Sequence, residues 1–208
     1  MTTAREIAEC LMTREAVKVS IDPPFTWASG IKSPVYCDNR KMLGFVGERE
    51  KIVEAFKKAV EGMEFDVIGG TATAAISWAA FLAQELHKPM IYIRPKPKDH
   101  GTGKQIEGFV VPGARVLILE DLISTGGSSI AAAKVVRNEG QCVVTDILAI
   151  VSWEMPMAKK AFEDAGINLT TLTDYTNLVG LAAEKNMIAK EDIETILKFK
   201  EDPENWRS

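Results

Sequence analysis

Two carboxylates, a run of hydroxyls and a pair of glycines succeed one another in Val116-Leu117-Ile118-Leu119-Glu120-Asp121-Leu122-Ile123-Ser124-Thr125-Gly126-Gly127-Ser128-Ser129. The apolar residues before the acids read as a buried strand, over 115–119. A helix over 128–139 follows the glycines. Gly126 and Gly127 let successive backbone N–H groups turn inward. Thr125, Ser128 and Ser129 add hydroxyl donors, and the helix N-terminus adds partial positive charge, so a phosphate fits there. Glu120 and Asp121 accept hydrogen bonds and match the two hydroxyls of a ribose. A sugar diol beside a phosphate is a ribose 5-phosphate. A purely structural alternative, an acidic strand end and then a serine N-cap, explains each half but not their succession.

A second group is basic. Arg94, at the end of a strand, and Lys96, Lys98, His100 and Lys104, in the loop over 95–111 that follows, gather within eleven residues of a chain whose net charge is -4 and whose pI is about 5.4. Gly101, Gly103 and Gly108 give that loop freedom to close. A solvated basic loop is the ordinary fate of such a run. Next to a ribose-phosphate receptor, however, the cations suit a departing diphosphate. Other phosphate motifs fit worse. Lys98 and Gln105 stand where a Walker A loop around Gly103-Lys104 needs a glycine and a Ser or Thr, and Ile106 breaks the dinucleotide pattern begun by Gly101 and Gly103.

The elements that must position these groups follow from periodicity. Ala4, Ile7, Ala8 and Leu11 make one face of a helix over 2–14, and Ile52, Val53, Phe56 and Val60 make the buried stripe of another over 47–61. Between them, over 17–39, Pro23, Pro24, Gly30 and Pro34 punctuate turns and short strands. Strands over 66–70, 90–94, 115–119, 143–151 and, weakly, 169–172 then alternate with helices over 73–86, 128–139 and 156–165, and the chain ends in helices near 174–185 and 190–200. Strands that are continuously apolar, alternating with helices, predict an α/β fold: a mostly parallel central sheet with helices on both faces. Residues 1–40 do not fit the alternation and are read as a hood; 41–208 is the core. In such sheets, ligands sit beyond the carboxyl ends of the strands, which directs attention to 69–75, 94–108, 120–129 and 152–154. The small residues of 69–75 suit either a turn facing a diphosphate or a tight helix entry.

Composition sets the outer bounds. The chain has 208 residues, is 46% hydrophobic and 26% charged, and so predicts one ordinary globular domain. The acidic balance argues against a nucleic-acid binder. Cys10, Cys37 and Cys142 are far apart, and with only two histidines, His87 and His100, neither a disulfide framework nor a structural zinc site is expected. Cys37, Cys142 and Trp78 read as core. The uncharged stretch 67–84 contains Gly69, Gly70, Thr71, Thr73 and Ser77 and is too polar and short for a membrane span. No apolar leader opens the chain, and the expected location is the cytoplasm.

The segment around Glu120-Asp121 resembles the signature by which type I phosphoribosyltransferases hold phosphoribosyl pyrophosphate (PRPP). Phe25-Thr26-Trp27-Ala28-Ser29-Gly30-Ile31-Lys32-Ser33-Pro34 resembles the N-terminal signature of the orotate phosphoribosyltransferases, and Arg94-Pro95-Lys96-Pro97-Lys98-Asp99-His100-Gly101 resembles their catalytic loop. The likeness extends to Asn39-Arg40, 70–74 and Thr173-Asp174-Tyr175. It implies the type I phosphoribosyltransferase fold and transfer of ribose 5-phosphate from PRPP to orotate, with magnesium bound mainly through PRPP and pyrophosphate and no metal-ligating set of the protein's own. It implies that Arg94, Lys98 and His100, together with Glu120, Asp121, Leu122, Ile123, Ser124, Thr125, Gly126, Gly127 and Ser128, bind PRPP. Lys98 and His100 are then catalytic, and Lys32, Ser124 and Arg40 bind orotate. It also implies a homodimer whose catalytic loop reaches the partner's site. Phe25 and Trp27 suit either a wall for the base or packing. Three positions depart from the family: Pro95, Thr73-Ala74 and Trp153 stand where some members carry basic or aromatic-basic residues. A non-catalytic PRPP- or nucleotide-sensing regulator, and a purine or uracil phosphoribosyltransferase, are the competing readings.

Overall fold

The computed structural model describes residues 4–27, 30–97 and 103–206. Helix α1 (Ala4–Thr13) opens the chain. Short strands β1 (Val17–Val19), β2 (Phe25–Thr26), β3 (Lys32–Ser33) and β4 (Val35–Cys37) and a 3-10 turn, Asn39–Gly44, follow. Next come α2 (Val46–Ala59), β5 (Val67–Thr71), α3 (Ala75–Leu86), β6 (Met90–Ile93) and β7 (Ile106–Glu107). The chain continues through β8 (Val116–Ile123), α4 (Gly127–Asn138), β9 (Asp146–Ser152), α5 (Pro156–Ala165), β10 (Asn168–Asp174), α6 (Tyr175–Glu184) and α7 (Ile193–Lys198).

Six strands form the central sheet in the order β10-β9-β8-β5-β6-β7, every pair parallel except β6 with β7. This is the mostly parallel α/β sheet expected. The chain leaves β5 toward β6 and leaves β8 toward β9, on opposite sides, so the strand order reverses between β5 and β8. A crevice opens beyond the strand ends at such a reversal. Both helix layers are built on small apolar residues. Gly70 allows α3 to lie close on β5: a Cβ there would stand 2.9 Å from the Ala79 Cβ and 3.0 Å from the Ala75 carbonyl oxygen.

The acidic pair does not follow the strand but belongs to it. β8 runs on to Ile123 because β9 continues beside it, pairing Glu120 with Ala149 and Leu122 with Val151. Its other neighbour, β5, is in register only as far as Gly70 opposite Leu119. The acids therefore sit where β8 has lost one partner, open on the side of the crevice. The expected polar loop over 95–111 likewise contains β7, whose register pairs Tyr92 with Glu107 and Ile93 with Ile106. The strand expected from Val143 begins at Asp146, Val143 making only an isolated bridge with Arg115. The weak strand over 169–172 is a full edge strand of seven residues. The final helix is short, since 190–192 form a 3-10 turn ahead of α7.

Residues 1–40 divide in their packing. α1 buries Ile7, Ala8, Cys10, Leu11 and Met12 and lies against α6 and β10, so its apolar face is continuous with the main core. β1 with β4, and β2 with β3, form two small antiparallel ribbons outside the central sheet. Just beyond β4, at the end of the first ribbon away from the β1–β4 connection, the chain is tied to the sheet: the Asn39 side chain, fully buried, donates to the Asp121 carbonyl at 2.8 Å. At the opposite, N-terminal end of the strands, Arg115 grips Glu64 (2.6 Å) and Asp66 (3.1 Å) and holds the Asp66 carboxyl down to about 2. No helix among the described residues is long and apolar enough to cross a membrane.

Candidate active site

The two carboxylates of β8 have different surroundings. Glu120 is buried and faces the start of α4, where its carboxylate accepts hydrogen bonds from the Ser129 hydroxyl (3.1 Å), the Ser128 hydroxyl (3.4 Å) and the Asp121 N–H (3.1 Å). It thereby fixes the helix entry to the strand. Asp121 is half-buried, and no ion pair reaches it among the described residues. Burial, and then the neighbouring Glu120 carboxylate, push its carboxyl up to about 7. It lies near enough to Cys37 and Arg40 to act electrostatically on both. Burial and the Asp121 charge together push the Cys37 thiol far up, so that cysteine is an inert wall rather than a nucleophile.

The turn from β8 into α4 falls at the paired glycines, as its sequence predicts. Gly126 is the N-cap at φ +79, with no side-chain cap. The first N–H groups of α4 have no intrahelical acceptor, and the helix dipole favours an anion at this end. Thr125, Gly127 and Ser128 are exposed around it. A Cβ on Gly126 would come within 2.8 Å of Cε2 of Phe162, a ring 3% exposed, and would carry a left-handed backbone. Gly126→Ala is therefore expected to lower stability by about 1–3 kcal/mol and to weaken phosphate binding. Denaturant melts of Gly126→Ala and of Gly126→Ala/Phe162→Leu separate the causes: shrinking the ring recovers the steric part only. A wild-type melt for the single variant contradicts the account.

Beside the nest lies a cleft of about 280 Å³ lined by Thr26, Trp27, Tyr36, Cys37, Leu122, Ser124 and Trp153. Larger grooves, of about 430 and 410 Å³, run along charged helix surfaces and take in none of the sequence-selected residues. The cleft joins the hood ribbons to the ends of β8 and β9. It holds two tryptophans and three hydroxyls, those of Thr26, Tyr36 and Ser124, which suits a flat polar ring. Ser124 lines it, as does Trp27, which also donates through Nε1 to the Val35 carbonyl at 3.1 Å. Lys32 is exposed on the ribbon and donates to Thr26, a lining residue, at 2.7 Å. Arg40 is not among the lining residues: its guanidinium is held by Asp38 at 2.7 Å.

Arg94 follows β6 and stands 3.7 Å from the Glu107 carboxylate on β7. Its N–H donates to the Gln105 carbonyl, and the Gln105 side chain donates back to the Arg94 carbonyl. The next turn is anchored too, as the Gln105 and Ile106 N–H groups donate to the Glu139 carboxylate at 2.9 and 3.0 Å. Lys98 and His100, the expected catalytic pair, lie outside the described residues. The turn after β5 brings Ala72 against the end of β6, its N–H donating to the Ile93 carbonyl at 2.9 Å, and its Ala72–Thr73 peptide is cis.

Sequence reasoning passed over several of these groups. Asn39 was visible only as part of a motif. Tyr36 and Cys37 line the cleft, as does Leu122, expected at PRPP, and Trp153, noted only as a departure, forms a wall. Glu107 and Glu139 fix the base of the basic loop. None of them has a local signal, because each acts through a partner many residues away.

Comparison with known proteins agrees with this geometry. The phosphoribosyl transferase domain family matches residues 48–172. An orotate phosphoribosyltransferase of Streptococcus pneumoniae (serotype 19F, strain G54) is 46% identical over all of this chain and 99% of its own. Among solved structures, an orotate phosphoribosyltransferase from Aeropyrum pernix superposes with a TM-score of 0.75 at 28% identity, over 88% of this chain and 99% of that one. UMP synthase of Leishmania donovani superposes with a TM-score of 0.77 at 27% identity over 93% of this chain, which spans only 42% of that longer protein. Identity of this order runs from the hood through the acidic strand to the last helix, and on it the chain belongs to the orotate phosphoribosyltransferase family.

Proposed function

We propose that the protein transfers the 5-phosphoribosyl group of PRPP to orotate, forming orotidine 5'-phosphate and pyrophosphate in pyrimidine synthesis. One observation carries the reading: the acids of β8, the nest at the start of α4 and an aromatic cleft meet where the strand order reverses. The 5-phosphate takes the nest formed by Thr125, Gly126, Gly127 and Ser128, with 122–124 completing its approach. The ribose hydroxyls donate to Asp121, which no ion pair holds among the described residues, while Glu120 keeps the nest in place. Orotate lies between Trp27 and Trp153, with Ser124 and Lys32 at its polar edge; Arg40 requires release from Asp38 to take part.

Cleavage of the ribose C1–oxygen bond leaves positive charge on the sugar and negative charge on the diphosphate. Lys98, His100 and Arg94 are placed on that diphosphate, where cations in a water-poor site stabilise the departing charge. Magnesium supplies further neutralisation of the diphosphate oxygens when bound. The residues fit that ion on the substrate: Glu120 is engaged by Ser128 and Ser129, and Asp121 is the carboxyl left to meet it or the ribose. Such an ion usually keeps waters and substrate oxygens as ligands. The ribbons of 1–40 act as a cap over the base, and the enzyme works as a cytoplasmic homodimer in which the basic loop serves the partner's site.

The test is the loss of orotate absorbance on addition of PRPP and magnesium. Turnover of orotate, with none of hypoxanthine or uracil, is the expected result. Turnover of either of those bases but not orotate, or binding of PRPP without turnover of any base, overturns the assignment.

A further inference from the structure

The end of the chain is joined to the base cleft through aromatic rings. Phe199, immediately after α7, is fully buried. Its ring lies 5.5 Å from that of Trp27 at 87°, an edge-to-face contact. It also lies 6.1 Å from Tyr175, which in turn meets Trp153 edge-to-face at 5.9 Å and 83°. The Tyr175 hydroxyl, buried and pushed up by that burial, donates to the Ile196 carbonyl of α7 at 2.7 Å. Beside the rings, Lys200 donates to Glu154 at 3.2 Å and to Thr176 at 3.1 Å, and Glu154, next to Trp153, also accepts from Thr176. Trp27 and Trp153 come from segments on opposite sides of the cleft, the hood ribbon and the end of β9, and no ring contact links them directly.

We propose that Phe199 is a positioning residue for the base: through this one ring, α7 sets the spacing of the two tryptophans that wall the cleft. Phe199 does not touch the substrate. Edge-to-face ring contacts have preferred geometry, so the ring fixes Trp27 directly; it reaches Trp153 through its tilted contact with Tyr175, at 45°, and the edge-to-face contact of Tyr175 with Trp153. The ribose-phosphate nest is built from β8 and α4 and has no part in this ladder. Loss of the ring should loosen binding of the base and spare PRPP. The inference rests on the function proposed above, and one assay separates the two.

Phe199→Leu keeps an apolar side chain in place and removes the ring. The expected result is a rise of about tenfold in KM for orotate, with KM for PRPP within about twofold and kcat lowered less than about threefold. Phe56→Leu is the control. Phe56 is equally buried and loses an edge contact with Trp78 (6.5 Å, 65°) in the α2–α3 layer. It should lower the melting temperature to a similar degree without separating the two KM values. Orotate KM unchanged in Phe199→Leu, a parallel rise in both KM values, or the same split in Phe56→Leu each overturns the proposal. If Phe199→Leu does not fold, Phe199→Met, which fills more of the space without restoring the ring, decides by the same split: a rise confined to KM for orotate supports it, and no change or a parallel rise in both KM values refutes it. Failure of the wild type to consume orotate sinks the function itself; a working wild type with an indifferent variant sinks only the positioning role.

Discussion

Asp121→Asn is expected to lower kcat/KM for PRPP by about a hundredfold and, at pH 8, to make the unliganded protein harder to melt. Both effects have one origin. The Asp121 carboxyl is buried beside Glu120, which raises it from 3.8 to about 7. A carboxyl raised on folding favours the folded state while protonated. That advantage is complete below the unfolded value, near 3.8, and is lost as the pH rises through about 7. Above that, the wild type carries a desolvated charge next to a second one. The amide variant keeps only the Glu120 charge, and should gain about 1–3 kcal/mol at pH 8, fading toward pH 4. Binding reverses the balance, because the ionised carboxylate accepts from the ribose hydroxyls. Wild-type kcat/KM for PRPP should therefore fall on the acid side with an apparent pKa near 7, a limb that the variant lacks. Thermal melts at pH 4 and pH 8, with the pH profile, check this. A variant with wild-type kinetics, or one that melts lower at both pH values, removes Asp121 from the ribose.

Lys98→Ala is expected to cost about a thousandfold in kcat with little change in KM for PRPP. A cation needed mainly as the diphosphate departs contributes to the transition state more than to the bound substrate. The melting curve should match the wild type, because the sequence around Lys98 is polar and offers no apolar stripe to a core. Orotate absorbance and a thermal melt decide the matter together, and a wild-type kcat assigns the leaving-group charge to other cations, with Arg94 and His100 the next to vary.

The sheet was legible because apolar continuity in 116–119 and 147–151 is a local property of the chain. The nest was legible for the same reason: glycines and hydroxyls need only their own neighbours to shape a phosphate turn. What escaped depends on partners. Nothing within Glu120-Asp121-Leu122-Ile123 says that β9 continues beside it, so the sequence reads as a strand that ends at the acids, where the structure carries it on to Ile123. β7 is two residues long and exists only against β6. Arg40 looks like a free cation in the sequence, and the adjacent Asp38 holds it. Cys37 reads as a small core residue, yet the β1–β4 ribbon carries it to the cleft wall. α1 reads as part of a hood because it precedes the alternation, but its apolar face completes the core on α6 and β10.

Glu139 and the paired Arg94 and Gln105 have a further geometric consequence. They close the base of the basic segment like the knot of a loop of string. With residues 94 and 105 held together, ten residues must go out and come back. At about 3.3–3.6 Å per residue, no main-chain atom in that excursion lies more than about 20 Å from the knot. That radius, lengthened only by the lysine side chain itself, bounds every site, in the same subunit or a neighbouring one, to which Lys98 can deliver its charge.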